Sequence, residues 1–215
     1  MSDGPKGVLA GPGEQYNPRA PTTPRQAASV ILLREGHSNF ELLLVKRTPH
    51  ARFMGGVWVF PGGAVDQHEV DGGDAHRAAA MRELREEAGV SLSNPGELVG
   101  FSRWITPAVV KIRFDTHFFL AELPAGQEAQ VDGEECVEHG WFTAQDALRS
   151  HERSEIALVF PTIKHLEQLL AFQSAAELLA YARGREVVAV EPRVVMEGEV
   201  ARVLLPGDPG YESQP

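Results

Sequence analysis

The chain has one cysteine, an excess of acidic residues and no long apolar run. Its single cysteine, Cys136, excludes an intramolecular disulfide and disfavours a structural zinc site, so we expect it to be an inert residue that fills space. Because no apolar stretch reaches about 18 residues, there is no transmembrane candidate. Met1–Gln26 lacks the positive-then-apolar layout of a signal peptide, so the expected location is the cytoplasm.

The charge balance excludes other classes of function. The 215 residues include 20 Lys and Arg against 30 Asp and Glu, a formal net charge of −10. Nucleic-acid binding and binding to anionic membranes both need a basic surface, so neither is expected. A small anionic substrate is compatible, because metal ions can bridge acidic residues to phosphate. The sequence also has no serine nucleophile elbow, no Walker motif and no dinucleotide-binding glycine pattern.

The order of predicted elements indicates an α+β chain. Ala75–Ala88 is rich in helix formers, with Asp74 as a candidate N-cap and Gly89 as the stop. A short helix is predicted after Thr143. Longer helical patterns cover residues 162–171 and 174–183. Apolar runs predict strands over residues 27–33, 41–45, 58–60, 98–105, 114–120, 140–142, 187–190 and 201–205.

The composition along the chain predicts a single domain with additions. Residues 1–24 are rich in proline and glycine, without a hydrophobic period, and predict a flexible arm. Residues 25–211 are expected to form one domain whose C-terminal extension begins at about residue 160. Residues 212–215 are a tail. Strands, a helix, more strands and then helices favour a mixed sheet with helices packed on it.

One helix carries a cluster of acids. Glu83, Glu86 and Glu87 share a face, because residues three and four apart are neighbours on a helix. Crowded carboxylates repel one another unless a cation lies among them, and hard oxygen ligands suit Mg²⁺ or Mn²⁺. A solvated helix face with ion pairs is the alternative interpretation. Upstream, the turns of Phe60–Gly63 could bring peptide groups beside a ligand.

These residues resemble the sequence signature of the Nudix hydrolases. That signature is glycine, five residues, glutamate, seven residues, then Arg-Glu-apolar-any-Glu-Glu-any-Gly-apolar. The chain has Gly63, five residues and Glu69, and its second half is complete over Arg82–Val90. The spacer has twelve residues instead of seven. We expect the five extra residues to bulge near residues 71–74, and the spacer leaves the role of Glu69 open.

The resemblance implies an α/β/α sandwich with a mixed β-sheet, to which C-terminal helices and strands are added here. It implies metal-dependent hydrolysis of nucleoside diphosphates linked to another moiety, with Mg²⁺ or Mn²⁺ as the metal. By match, Glu86 and Glu87 would be metal ligands. Glu83 would be a ligand or would position the attacking water, and Gly63 would offer its carbonyl to the metal.

The resemblance also suggests two residues that assist the reaction. Arg82 would orient a carboxylate of the cluster by ion pairing. Glu135, in an acidic loop six residues before Trp141, stands where many members of the family carry a distal glutamate, and it is a candidate general base. An ordinary solvated loop acid is the alternative interpretation of Glu135.

Two groups of residues resemble the coenzyme A diphosphatases within that family. Arg52, three residues, Gly56, three residues and Phe60–Gly63 match the latter half of a subgroup signature, whereas Leu43–Thr48 matches its first half only in part. Segments after the helix, such as Arg113–Phe119, are similar to the peroxisomal-type subgroup and its bacterial relatives. The candidate substrate-binding residues are Arg47, Arg52, Gly56, Phe60, Trp104 and Arg113.

Three functions remain open from the sequence. The first is cleavage of coenzyme A or acyl-coenzyme A into 3′,5′-ADP and (acyl-)4′-phosphopantetheine. The second keeps the reaction but acts on ADP-ribose, NADH or another nucleotide conjugate, because threonines of the subgroup signature are missing. The third is a non-catalytic ligand-binding regulator, which the intact helix acids disfavour. The helices after residue 162 could cap the substrate cleft or form a homodimer.

Overall fold

The computed structural model describes residues 15–17, 20–37, 39–51, 53–69, 74–197 and 200–213. Within these residues the chain forms ten β-strands, four α-helices and two short 3-10 turns. The helices are α1 (Ala75–Ala88), α2 (Ala144–Glu152), α3 (Phe160–Leu169) and α4 (Ala175–Arg183). The strands are β1 (Arg25–Glu35), β2 (Phe40–Arg47), β3 (Trp58–Val59), β4 (Gly62–Ala64), β5 (Val99–Ile105), β6 (Phe114–Glu122), β7 (Cys136–Phe142), β8 (Ala189–Val190), β9 (Arg193–Glu197) and β10 (Val200–Leu204).

Eight of these strands form one mixed sheet. Its path runs in the order β3-β2-β1-β6-β5-β8, while β4 pairs with β1 and β7 pairs with β2. Strand β1 is parallel to β6 and antiparallel to β2. Strand β5 is antiparallel to β6 and parallel to β8. The predicted mixed sheet is confirmed.

The sheet lies between two hydrophobic clusters. Side chains along a strand alternate between its faces, and β1 shows this directly. Ile31 and Leu33 pack with buried residues of α2, α3 and α4, whereas Val30 and Leu32 pack with buried residues of α1. Helix α1 therefore covers one face and the other three helices cover the opposite face, which is the expected α/β/α sandwich.

Helix α1 begins and ends where the sequence predicts. The Asp74 side chain accepts a hydrogen bond from the Arg77 backbone N–H at 3.2 Å. Gly89 adopts φ 67°, a left-handed conformation that favours glycine, and donates its N–H to the carbonyl of Arg85. The predicted bulge before the helix lies largely outside the described residues, since residues 70–73 are not described.

Strand β4 was not predicted, because Pro61-Gly62-Gly63 indicates a stop. Instead, Gly62–Ala64 pairs with residues 27–29 of β1. A Cβ atom on Gly62 would lie 2.4 Å from the carbonyl oxygen of Ala28. The absence of a side chain therefore allows the backbone to approach the sheet closely enough to pair.

Two other elements differ from the sequence prediction. Helix α3 begins at Phe160, before Pro161 and not after it, because proline fits the first turn of a helix, where no N–H partner is needed. Strand β9 was missed, and it pairs only with β10 among the described strands. None of the described helices is long and apolar enough to span a membrane.

The described part of the N-terminal arm is attached to the domain. Tyr16 forms an antiparallel bridge with Val110, and Thr22 donates a hydrogen bond from its hydroxyl to the carbonyl of Lys111 at 3.0 Å. These two positions of the arm therefore contact the domain, and the flexible or extended character of residues 1–24 stays a prediction. Residues 1–14 lie outside the described residues.

A buried histidine links α3 to the sheet. The ring of His165 lies among Phe118, Trp104 and Phe60, and its Nε2 is 2.6 Å from the Ser102 hydroxyl oxygen. Burial lowers the pKa of His165 to about 3, because the charged imidazolium would lose its hydration.

We expect the free energy of unfolding to fall as the pH drops below about 6.5, the ordinary histidine pKa. In that range His165 binds a proton in the unfolded chain but stays neutral in the folded protein. The stability that neutral His165 contributes is therefore complete above about pH 6.5 and is lost towards pH 3. The expected slope is about 1 kcal/mol per pH unit. Urea titrations at several pH values should show that the free energy of unfolding depends less on pH in His165→Phe than in the wild type. Replacing the exposed His50 by Gln serves as the control and should keep the wild-type dependence. An unchanged slope in His165→Phe would contradict this assignment. The stacked histidines His76 and His117 also have lowered pKa values. They add to the pH dependence of the wild type and of both variants in the same way.

Candidate active site

The three acids of α1 lie in very different environments. The side chain of Glu86 is 51% exposed, that of Glu83 is 13% exposed and that of Glu87 is 3% exposed. They share the helix face that the spacing predicts, but Glu83 and Glu87 point into the protein. A buried carboxylate needs donors or a cation nearby, so the structure around these two residues determines what the cluster can do.

Arg82 connects the cluster. Its Nη1 donates to Glu83 Oε1 at 2.8 Å and to Glu86 Oε2 at 3.1 Å, and its Nε donates to Glu69 Oε1 at 2.9 Å. Its Nη2 donates to the carbonyl of Ala64, the last residue of β4. Hydrogen bonds to Glu69 and Glu83 raise the pKa of Arg82, so it stays charged. Arg82 thereby links three acidic side chains to the last residue of β4, and its orienting role stays a prediction.

Glu69 belongs to the cluster despite the long spacer. Besides Arg82, its carboxylate accepts the backbone N–H of Asp66 at 2.7 Å. Burial alone would raise the pKa of Glu69, but Arg82 and the Asp66 N–H together lower it. The five extra residues of the spacer therefore do not displace Glu69 from Arg82, and the structure gives Glu69 the position that the spacing left open.

Gly63 lies directly against Glu83. A Cβ atom on Gly63 would be 2.1 Å from Oε1 and 2.9 Å from Oε2 of Glu83. Only glycine leaves room for this carboxylate, so the peptide of Gly63 and the oxygens of Glu83 share one small space. The structure therefore brings together the two residues that the sequence names as neighbouring ligands.

Glu87 is surrounded by donors from the sheet. Its Oε2 accepts the backbone N–H of Gly62 at 2.8 Å, and Arg47 Nη1 lies 3.6 Å from its Oε1. Burial and the nearby charge of Glu83 raise the pKa of Glu87 to about 7, while Gly62, Arg47 and the Cys136 thiol lower it. Cys136 is fully buried, as expected for a filling residue, but it also lies against this carboxylate.

Glu135 lies close enough to Glu83 to affect its ionisation. Burial raises the pKa of Glu83, and the charges of Glu86 and Glu135 raise it further against the opposing effect of Arg82. The Glu135 backbone donates to Asp132 Oδ2 at 2.9 Å and accepts the N–H of Thr48 at 2.8 Å. These bonds fix the loop while the Glu135 side chain stays exposed to solvent.

Among the described candidate substrate residues, the side chains of Phe60 and Trp104 lie away from this cluster. Phe60 is buried in the hydrophobic core against His165, a position that does not support its candidacy as a substrate contact. The Trp104 ring packs on the same core, on the face of the sheet opposite α1. Gly56 has φ +77° in the loop before β3. Arg52 lies outside the described residues.

Arg113 also has another role. It is buried, and its Nε and Nη1 donate to the carbonyls of Thr106 and Thr22 at 2.9 and 2.7 Å. Its Nη2 pairs with Glu191. Its guanidinium thus joins the N-terminal arm, the β5–β6 loop and the C-terminal extension. This arrangement corrects the predicted substrate contact, since the side chain is enclosed by its own protein partners.

We expect Arg113→Met to lower the free energy of unfolding by about 1.5–3 kcal/mol, because the partly buried carbonyls of Thr106 and Thr22 would lose their charged donor. Chemical denaturation should detect this loss. Glu191→Gln is the matched control, and its effect should stay below about 1 kcal/mol because Glu191 is half exposed. A loss of substrate affinity without any loss of stability would restore the binding role.

The donor chemistry of the cluster fits a divalent cation. The cluster has four carboxylates and two guanidinium groups, which leaves a formal charge of minus two. The carboxylates are those of Glu69, Glu83, Glu86 and Glu87, and the guanidinium groups are those of Arg47 and Arg82. Carboxylate and peptide oxygens are hard ligands that suit Mg²⁺ or Mn²⁺. In the described part of the chain no three acidic, histidine or cysteine side chains converge as a ready metal site. Donors from Arg82 and Gly62 take up oxygens of these carboxylates instead.

Sequence inspection missed the partners of Glu87. The N–H of Gly62 and the thiol of Cys136 come from segments far from α1 in the chain. The sequence would indicate Cys136 as a neighbour of Glu87 only if the pairing of β2 with β7 were known. That pairing places Cys136 opposite Arg47.

Comparison with known proteins agrees with this architecture. Residues 23–162, well over half of the chain, match the family model of the NUDIX domain. A Caenorhabditis elegans protein named as a nudix hydrolase is 26% identical over 87% of this chain and 74% of its own length. The acyl-coenzyme A diphosphatase NUDT19 of Homo sapiens is 25% identical over 80% of this chain and 72% of its own. A solved NUDIX hydrolase from Alicyclobacillus acidocaldarius is 26% identical, with a TM-score of 0.69, covering 74% of this chain and 96% of that one.

Proposed function

The chain belongs to the Nudix hydrolases, which act on diphosphate linkages of small nucleotide derivatives, and we propose that its substrate is coenzyme A or an acyl-coenzyme A. The observation that carries this proposal is the likeness to acyl-coenzyme A diphosphatases of Homo sapiens and Xenopus laevis. It extends over 80% and 83% of this chain. The partial subgroup signature that includes Gly56 and Phe60–Gly63 supports the same substrate.

The proposed ligands of the metal are the carboxylates of Glu83, Glu86 and Glu87 and the carbonyl of Gly63. When bound there, Mg²⁺ or Mn²⁺ would neutralise phosphate oxygens and lower the pKa of the attacking water. Arg82 Nη1 donates to both Glu83 and Glu86, so it would keep these two carboxylates together when metal and substrate bind. The N–H of Gly62 holds the carboxylate of Glu87 in place.

The proposed general base is Glu135. The water oxygen forms a bond to one phosphorus of the diphosphate, its proton passes to the Glu135 carboxylate, and the bond from that phosphorus to the bridging oxygen breaks. The products are 3′,5′-ADP and (acyl-)4′-phosphopantetheine. Glu135 is suited to this step because its charge acts on Glu83 while its own side chain is exposed, so its proton can return to solvent.

Product analysis by mass spectrometry tests the substrate. The purified protein is given coenzyme A, acetyl-coenzyme A, ADP-ribose, NADH and diadenosine polyphosphates, with Mg²⁺ or Mn²⁺ and with an EDTA control. We expect 3′,5′-ADP and phosphopantetheine products to dominate and to disappear with EDTA. Dominant AMP from ADP-ribose or NADH would keep the diphosphate chemistry but reject coenzyme A as the substrate.

A matched variant excludes contaminating enzymes and the regulator alternative. Glu86→Gln, purified in the same way, should form product about 10²–10³-fold more slowly than the wild type. Such a difference between the two proteins would reject a non-catalytic regulator. Equal turnover by both proteins would assign the activity to a contaminant.

A further inference from the structure

The environment of Glu87 sets it apart from the other acids of α1. Its side chain is 3% exposed, whereas Arg82 bonds to Glu69, Glu83 and Glu86 but not to Glu87. A carboxylate at this depth is costly unless its oxygens have partners. The partners that the structure provides come from the sheet below α1.

Two of those partners stand opposite each other in the sheet. Arg47 ends β2 and Cys136 begins β7, and these residues face one another in the antiparallel pairing. Directly opposed residues of such a pair project from the same face of the sheet. The register shifts between Lys46 and Arg47, and such a bulge re-aims the side chain beside it. Nη1 of Arg47 lies 3.6 Å from Oε1 of Glu87, and Cys136 packs in the same buried cluster as Leu84 and Ala88 of α1.

The contact with Arg47 is electrostatic. Its Nη1 is 3.6 Å from Glu87 Oε1, beyond hydrogen-bond distance but within ion-pair range. Its Nε is buried and has no hydrogen-bond partner among the described residues. Among the described residues, the charge of Arg47 is the nearest compensation for the carboxylate of Glu87.

We propose that Arg47 and Cys136 are positioning residues that hold the carboxylate of Glu87 for metal binding. The inference rests on the proposed function, because it takes Glu87 to be a metal ligand. Gly62 fixes one oxygen of Glu87 and Arg47 attracts the other, and we infer that the Cys136 thiol, buried beside α1, donates to the carboxylate. This assignment replaces the role of Arg47 as a substrate contact, which its residue type alone suggests.

Binding of Mn²⁺ without substrate, measured by calorimetry, tests Arg47. We expect Arg47→Met to weaken Mn²⁺ binding about 10- to 100-fold and to lower kcat with little change in KM, as for other residues that support a metal ligand. Arg47→Lys should recover part of both losses. Lys46→Met is the matched control, because it removes one cation from the same strand without touching Glu87, and it should bind Mn²⁺ like the wild type.

The opposite pattern would overturn the role of Arg47. If Arg47→Met raised KM and left Mn²⁺ binding unchanged, Arg47 would be a substrate contact. If the wild type itself bound no Mn²⁺, the proposed metal chemistry would fail first, and the inference with it. If Glu87→Gln weakened Mn²⁺ binding and Arg47→Met did not, only the inference would fail.

The S–H stretching band in infrared spectra tests Cys136. The chain has one cysteine, so it gives a single band. We expect the band at a higher frequency in Glu87→Gln, because an amide accepts a weaker hydrogen bond than a carboxylate. Adding Mg²⁺ should shift the wild-type band in the same direction and leave that of Glu87→Gln unchanged. Identical bands in both proteins, with no response to Mg²⁺, would show that the thiol does not hold Glu87.

Discussion

Replacing Glu86 by Gln is expected to lower kcat about 10²–10³-fold while the protein keeps its stability. In the proposed reaction Glu86 is a ligand of the metal that would neutralise the diphosphate, and losing one such source of electrostatic stabilisation typically has this effect. Its side chain is half exposed, and its pairing with Arg82 contributes less than about 1 kcal/mol to folding. Steady-state kinetics and thermal unfolding of the same preparation measure both quantities.

Glu138→Gln is the matched control for this experiment. Glu138 is 55% exposed and pairs with one cation, Lys46, so the substitution removes a similar surface ion pair without touching α1. Its turnover should equal that of the wild type. If Glu86→Gln turned over substrate as fast as the wild type, the acids of α1 would be better interpreted as a solvated helix face. A large loss of stability would mean that Glu86 supports the fold.

The sequence predicts α1 to the residue because its signals are local. Asp74 caps the helix, Gly89 ends it, and the residues between are strong helix formers. The grouping of the acids on one face follows from helix geometry alone. Local signals therefore locate the carboxylates, but they do not distinguish exposed Glu86 from buried Glu87, which depends on the strands beneath the helix.

Contacts between distant segments could not be predicted from the sequence. The pairing of Arg47 with Cys136 depends on the register between β2 and β7 and on a bulge in that pairing. The enclosure of Arg113 depends on Thr22 and Glu191, which approach it only in the folded chain. Arginine donates to phosphate, carboxylate and carbonyl groups alike, so the residue type alone does not reveal its partner.

The two adjacent glycines before α1 should respond differently to alanine. At Gly63 the new Cβ would meet the carboxylate of Glu83, with Oε1 at 2.1 Å. This carboxylate is the far end of a flexible side chain, so it can move at little cost to the fold. We expect Gly63→Ala to lower kcat about 10²-fold, since small displacements of a catalytic group have effects of this size. The unfolding temperature should change little.

At Gly62 the new Cβ would meet backbone instead. It would lie 2.4 Å from the carbonyl oxygen of Ala28 and 2.7 Å from the Cα of Ser29, within the pairing of β4 with β1. Backbone in a sheet cannot move without breaking that pairing, so we expect Gly62→Ala to lower the free energy of unfolding by about 1–3 kcal/mol or more. The displaced Gly62 N–H would also release Glu87, so activity should fall as well.

Gly184→Ala is the control for both substitutions, because its Cβ would have no neighbour closer than 3.7 Å. Kinetics and thermal unfolding of the three variants separate the roles of the two glycines. A loss of activity without a loss of stability in Gly63→Ala would show that the space beside its Cα belongs to Glu83 and serves the reaction. Equal destabilisation of Gly62→Ala and Gly63→Ala would mean that both glycines serve strand pairing, and that the position of the Glu83 carboxylate is incidental to catalysis.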